Sequence, residues 1–369
     1  MDFQNMAKVF CNKKSNYNKN FVPLIFPFYS LNETFISENF SGNYKTPFNE
    51  ISVLPFQDVF DNEKFESLHD LKFKSKKISQ QIFSKKFILL FKKTILETMD
   101  KDHLNIVFHS SGYDSRFLSS IILELRFDLN LNSNNILFVC HGSESEDFKT
   151  IMKYYDIPDK CHLSIFDPIH NLINLSTMTE DLNGVADFPF NKPKAIEKLL
   201  YEGHSDFKKF ADKKKVTYWS AGYFNEIIDY GFWDKFIANP IYNFFEKYYF
   251  SRYSQFSGAM KYGDILYPIL SKDILELVLT SDLKLNKQVR LDIIEMQDPE
   301  LFKLKRTEDE IANRDKQIPK QFIDGYAKYI IDTIDIKITP PKNLHDKFYG
   351  QLSKAALINY FRRIRNENK

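Results

Sequence analysis

NIVFHSSGYDSR, residues 105–116, is the stretch on which the reading of this chain turns. A short apolar run, Ile106 to Phe108, breaks into Ser110, Ser111, Gly112, Asp114 and Ser115. Behind the break, Phe117, Leu118, Ile121, Ile122 and Leu125 recur at helical spacing. The spacing predicts a buried strand, a tight turn and an amphipathic helix. A turn of that kind presents backbone N–H groups and hydroxyls at a helix N-terminus, where an anion is favoured.

Working outward, residues 76–99 form a long helical pattern through Ile78, Ile82, Phe83, Phe87, Leu89, Leu90, Ile95 and Leu96. After the central turn, 136–140 (ILFVC) reads as a second buried strand, 147–155 as a helix and 162–166 as a third strand. Residues 167–184 read as helical, 187–189 as a break and 194–212 as one helix, before a fourth strand at 216–220 (VTYWS). Strand and helix alternate, which argues for βαβ units. The expectation is an α/β fold: a parallel sheet of about five strands flanked by helices, with a mostly helical C-terminal half. Residues 241–290 read as helices joined by short loops. Further on, 318–334 reads as a helix, Pro340-Pro341 as a hinge and 344–365 as a basic amphipathic helix. At the other end, 21–29 and 51–56 read as short strands, held to sheet edges by Pro23, Pro27 and Pro55. The expected division is a small, reduced β unit at 1–75, a main domain at 76–335 and a basic helical extension at 336–369.

Composition narrows the partners. The 369 residues carry 51 basic and 49 acidic side chains, a formal net charge of +2, which gives no electrostatic footprint for nucleic acid. Cys11, Cys140 and Cys161 make no CxxC pair, which argues against a structural zinc site, a dithiol redox site and a disulfide framework. The first residues lack the apolar core of a signal peptide, and no apolar run reaches the length of a membrane span. The expectation is a cytoplasmic protein without membrane or nucleic-acid partners.

Four constellations could carry chemistry. SSGYDS, 110–115, lies one residue from SGGxDS, the pyrophosphate-binding loop of the ATP pyrophosphatase group. Small residues let backbone amides approach the phosphates, hydroxyls add donors, and Asp114 can hold Mg²⁺ against pyrophosphate. The structural alternative is an ordinary capped turn between strand and helix. Next, His141, Gly142 and Ser143 follow the second strand. In an open α/β sheet they fall beside the central turn, where backbone groups could read a base. Third, 219–229 (WSAGYFNEIID) follows the fourth strand, and Asn225 and Glu226 supply oxygen ligands suited to Mg²⁺. Last come Lys284, Lys287 and Arg290, cations able to neutralise a departing pyrophosphate. For these last two segments a solvated helix face is the commoner outcome.

Taken in order, these motifs resemble the synthetase domain of asparagine synthetase and its relatives, β-lactam synthetase and lasso-peptide cyclase. Ser110–Ser115 is similar to the family's SGGxDS loop, with Ser111 in place of the first glycine. The 76–99 helix stands where the family places the helix before that loop. Asp187-Phe188-Pro189 stands where the family often carries an Asp and a Pro. Ser220 to Glu226 stands at the SGEGxDE motif, and 262–270 (YGDILYPIL) is similar to the family's G-x-E-x-R-x-P-F-L-D segment. Lys287 and Arg290 fall where a Lys-x-x-x-Arg element contacts ATP phosphates, at a spacing one residue short. The resemblance spans residues 50–310. It implies an adenine-nucleotide α-hydrolase-like fold and chemistry in which a substrate carboxylate attacks the α-phosphate of ATP.

The departures shape the expectation. The family's glutaminase half needs a cysteine directly after the initiator Met; here Asp2 stands there, and only about 75 residues precede the long helix. Glutamine hydrolysis is therefore expected to be absent. Nitrogen would come from ammonia, from a substrate amine or through a partner protein. SGEGxDE has become Ser-Ala-Gly-Tyr-Phe-Asn-Glu, which argues against an aspartate-like substrate.

The resulting expectation is an ATP-dependent, AMP-forming carbon–nitrogen ligase acting on a non-aspartate carboxylate. Ser110, Ser111, Gly112, Tyr113, Asp114 and Ser115 would hold the phosphates, with Arg116 also in the nucleotide site. Val107, Phe108, His141, Gly142 and Ser143 would surround the adenosine, with Ser220, Ala221 and Gly222 completing the nucleotide site. Asp114 and Glu226 would hold Mg²⁺, and Lys287 would stabilise the leaving pyrophosphate. One competing reading is a degenerate relative that binds nucleotide without turnover. Another is an enzyme acting on tRNA, for which only the basic C-terminal residues Arg362, Arg363 and Arg365 speak.

Overall fold

The computed structural model describes residues 10–12, 17–18, 51–53, 76–109, 112–132, 134–141, 145–165, 197, 200–229 and 262–304. Near the N-terminus three short strands, Phe10–Asn12, Tyr17–Asn18 and Ile51–Val53, form an antiparallel sheet with the first in the middle. The expected strand at 21–29, the helices at 167–184, 318–334 and 344–365, and the break at 187–189 lie outside the described residues.

The apolar run at the centre of the sequence forms β1, Leu104–Phe108, with Ile106 and Val107 wholly buried. Adjacent residues of a strand point to opposite faces, so both faces of this strand are covered, as a parallel sheet requires. β2 (Ile136–His141), β3 (His162–Ile165) and β4 (Val216–Trp219) match three further expected strands to within a residue or two. With β5 (Gly263–Leu266) they make an all-parallel sheet in the order β3-β2-β1-β4-β5.

β5 lies in the stretch whose pattern reads as helical. It is only four residues long, too short for strand alternation to stand out, and Pro268 starts a 3₁₀ turn directly after it. Its entry is set by Gly263, which pairs with Val216. A Cβ at residue 263 would fall 1.9 Å from the Val216 carbonyl oxygen, so close an approach of the two backbones needs glycine. The expected single helix at 194–212 is likewise interrupted. Residues 200–203 are helical, then extended His204 caps α4 (Ser205–Ala211) by accepting a hydrogen bond from Phe207 N at 3.1 Å.

α1, Gln80–Thr98, starts at Ser79, whose hydroxyl accepts from Ile82 N. Phe83, Phe87, Phe91 and Ile95 recur every four residues and form its buried face. α2 (Tyr113–Glu124) follows the central turn and α5 (Phe224–Ile228) follows β4. Phe87 stacks on Phe224 with ring centroids 5.3 Å apart, Phe91 meets Phe117 edge-on at 5.0 Å, and Phe117 lies 5.0 Å from Phe224. Each such side chain contributes about 1.5–3 kcal/mol by burial. The aromatic ridge of α1 therefore fixes where α2 and α5 begin, beside the two strand ends discussed below. α3 (Ser145–Tyr154) precedes β3, while α6 (Lys272–Thr280), α7 (Lys287–Gln297) and α8 (Pro299–Lys303) complete the described C-terminal part. Among the described residues, no helix is long and apolar enough to cross a membrane.

Candidate functional site

The sheet order reverses between β1 and β4. The chain leaves β1 toward β2 on one side, while β4 and β5 extend the other. Connections diverging from neighbouring parallel strands open a crevice at their carboxyl ends, the usual ligand position in an open α/β sheet. Val107 pairs with Trp219 and Phe108 with Val139. The segments after β1, β2 and β4 thus leave the same edge of the sheet, and those after β1 and β4 flank the crevice. Ser110, Ser111, Gly142 and Ser143 lie outside the described residues, as do the side chains of His141 and Glu226.

On the β1 side, Gly112 is the extended N-cap of α2 and supplies no side-chain cap. The Ser115 hydroxyl donates to the Gly112 carbonyl at 2.9 Å, which tightens the first turn. Asp114, in that turn, accepts a hydrogen bond from Arg290 Nη1 on α7. Arg290 Nε donates at 2.7 Å to Asp229 Oδ1, at the C-cap of α5. One guanidinium thus joins α2, α5 and α7, with side-chain exposures of 11% for Arg290 and Asp229 and 24% for Asp114. Burial opposes the Arg290 charge, but the hydrogen bonds and charges of Asp229 and Asp114 outweigh it and raise its pKa.

Arg116, expected in the nucleotide site, bonds the end of α8. It is wholly buried, and its Nη1 donates to the carbonyls of Leu301 at 3.0 Å and Leu304 at 2.6 Å. Its guanidinium also lies 5.7 Å from the Tyr113 ring centroid, and Tyr113 stacks on Phe302. A cation on the carbonyls at the end of α8 caps that helix. The local sequence could not reveal this, because the partners lie some 185 residues away.

On the β4 side, Ser220 N donates to Leu266 O at 3.0 Å, and the Ser220 hydroxyl accepts from Gly222 N at 3.1 Å. Ser220, Ala221 and Gly222 are all partly exposed and turn the chain into α5. A Cβ on Gly222 would come within 3.1 Å of the Tyr267 ring. Tyr223, the N-cap of α5, has φ 73°, a left-handed conformation that favours glycine. The SGEGxDE pattern carries its second glycine at this position. The backbone here has the conformation that the pattern's glycine would serve, although the side chain is a buried tyrosine edge-on to Tyr267.

The remaining expected residues take varied places. The Val107 side chain is buried in the core, so only the end of its strand reaches the crevice. Phe108 is half-buried and stacks on Tyr218 at 5.6 Å. Lys287 is exposed at the start of α7 and makes no ion pair among the described residues. Arg290, one turn further on and so on a neighbouring part of the helix surface, is mostly buried and reaches Asp114 and Asp229. Asp229 and His109 are additional neighbours of the crevice. The sequence signal for Asp229 was an acid at the end of a short element. His109 had none beyond its place before Ser110.

His109 is 4% exposed, and its Nδ1 lies 2.7 Å from Ser119 Oγ. Its Nε2 has no hydrogen-bond partner among the described residues. Burial lowers its pKa from 6.5 to about 3, and the Arg116 charge acts in the same direction, so the imidazole is neutral. A groove of about 490 Å³ between α1 and α6, lined by Lys76, Ile82, Lys86, Leu90, Glu276 and Thr280, includes none of the crevice residues.

Among the described residues, no group of three or more His, Cys, Asp or Glu side chains could cage a metal. Mg²⁺ seldom uses such a cage. It binds through one or two carboxylates together with water and substrate phosphates. Asp114, one partly exposed carboxylate beside a turn of small residues, suits that mode. Neither a scan against protein-family models nor a search of curated proteins finds a match to this chain.

Proposed function

We propose that the crevice between the ends of β1 and β4 binds the polyphosphate of ATP, and that the protein is an AMP-forming carbon–nitrogen ligase of the asparagine synthetase type. The supporting observation is the junction itself. α2 follows β1 at the point where the strand order reverses, and a left-handed turn at Tyr223 follows β4, the strand paired with β1. The left-handed conformation at Tyr223 is one that glycine adopts without strain, and it falls where the SGEGxDE pattern has a glycine.

In this reading a carboxylate oxygen of the substrate attacks the α-phosphorus of ATP. The bond from that phosphorus to the bridging oxygen breaks, pyrophosphate leaves, and an amine then displaces AMP from the acyl group. Backbone amides at the start of α2 and the cation of Arg290 stabilise the negative charge of the leaving group. Asp114, with Glu226 as the expected second carboxylate, would hold Mg²⁺. The ion would supply charge neutralisation at the phosphates. The resemblance gives the lysine role to Lys287, which lies one turn before Arg290 on α7. The altered segment at Ser220 to Glu226 argues for a carboxylate other than aspartate.

The pairing of Asp114 with Arg290 also favours a second reading, a relative that binds nucleotide without turnover. A pyrophosphate-release assay across carboxylates and amines, with Mg-ATP, separates the two. Release that requires one acid supports the ligase. ATP binding with no release from any pair supports the binding protein. Absence of ATP binding contradicts both.

A further inference from the structure

The most unusual arrangement in the described part of the molecule is one arginine shared by two carboxylates at the mouth of the crevice. Arg290 Nε is fixed on Asp229 at 2.7 Å, and Nη1 takes Asp114. The two contacts are not equivalent. Asp229 is as buried as the arginine, whereas Asp114 is more exposed and belongs to the first turn of α2, behind the Gly112 cap. Three charges of −1, +1 and −1 leave one net negative charge where an anion is expected to bind. A polyphosphate approaching this cluster meets an arginine already committed and a carboxylate that repels it.

We propose that Arg290 is a latch with two positions, hinged on Asp229 and exchanging Asp114 for the phosphates of the bound nucleotide when a divalent cation takes Asp114. This inference rests on the nucleotide reading above and adds a regulatory step to it. Asp229 is then a positioning residue. It keeps the Nε edge of the guanidinium fixed while the Nη1 edge changes partner. The fork of the guanidinium permits this, because its N–H groups point in separate directions and can serve two oxyanions at once. The cation and the nucleotide become coupled through a side chain of this chain. Each one's binding removes a cost to the other, which makes their affinities mutually dependent.

The coupling is open to a double-mutant cycle on the full chain. ATP is titrated calorimetrically in EDTA and, separately, with excess Mg²⁺, against the wild type, Asp114→Asn, Arg290→Gln and the double variant. The latch predicts that Asp114→Asn binds Mg-free ATP about tenfold more tightly than the wild type, since a charged hydrogen bond no longer competes. It predicts that this gain disappears in the Arg290→Gln background. Asp229→Asn should weaken binding in both conditions, and Asp229→Glu should restore part of it. If Arg290→Gln does not fold, Arg290→Lys, which keeps the charge but not the fork, takes its place and should abolish most of the gain. The same gain with and without Arg290 would show simple relief of repulsion and overturn the latch. No gain at all would also overturn it. In both cases Mg-ATP binding by the wild type leaves the nucleotide reading standing. A wild type that binds no Mg-ATP overturns that reading and the latch with it.

Discussion

Asn105 shows what a single residue does for this site. It is wholly buried in β1, where a polar side chain is costly unless every group is paired. Its Nδ2 donates to Asp100 O at 2.8 Å and His103 O at 3.1 Å, and its Oδ1 accepts from Trp219 Nε1 at 2.9 Å. The strand before the crevice and the strand beyond it are thereby tied together. Asn105→Leu would leave the Trp219 N–H without its acceptor and take a side-chain donor from the Asp100 and His103 carbonyls, of which Asp100 O keeps only its bond from His103 N. We expect a loss of about 2–4 kcal/mol in denaturant unfolding; a loss below about 0.5 kcal/mol would contradict the bridging role. His109, four residues on, gives a pH test. Its folded pKa is depressed, so the unfolded chain takes up the proton first as pH falls below about 6.5, and stability is lost progressively from there toward pH 3. Between pH 7.5 and pH 5 this one group should cost about 2 kcal/mol. His109→Gln should lose that much less than the wild type over the same interval. An identical pH dependence would show that His109 is protonated in the fold. Both residues stand in the opening stretch of the sequence, yet neither partner set was legible there. Trp219 and Ser119 come from elements that meet them only after the chain has folded.

At the scale of elements, α1 and β5 are opposite cases. The 19 residues of α1 were plain in the sequence because a buried aromatic recurs every four residues over a long span. β5 was hidden because four residues hold too few alternations, and its decisive feature is a contact with Val216. Gly263→Ala tests that contact. The added methyl would meet the Val216 backbone, so β5 must move off β4, at an expected cost of at least about 3 kcal/mol. A variant as stable as the wild type would show that the two strands are not held in this register. Packing of α1 against α2 and α5 is tested by Phe117→Ala, for which loss of a buried ring among Phe87, Phe91 and Phe224 predicts about 3–5 kcal/mol. Thermal or denaturant unfolding reads both.

At the scale of the whole molecule, the order of strands was not legible, although four of their positions and their parallel direction were. Alternating strands and helices imply a parallel sheet, but nothing local states that β4 pairs with β1 across more than a hundred residues. That pairing creates the crevice. It also brings Asp114 and Asp229 within reach of one arginine on α7, a helix that Asn286 caps by accepting from Val289 N. The turn after β1 could be read from the sequence as a candidate anion site. Its electrostatic partner, the buried face of α7, required the fold. Arg116 illustrates the converse, since a cation beside the loop in sequence serves a helix end elsewhere in space. The central claim is that the crevice between β1 and β4 holds a Mg²⁺-dependent nucleotide site. Calorimetric titration of Mg-ATP into the wild type and Asp114→Ala tests it most directly. The account predicts one site per chain in the wild type and at least about tenfold weaker binding in the variant. Equal affinity in the two proteins, or no binding in either, would contradict it.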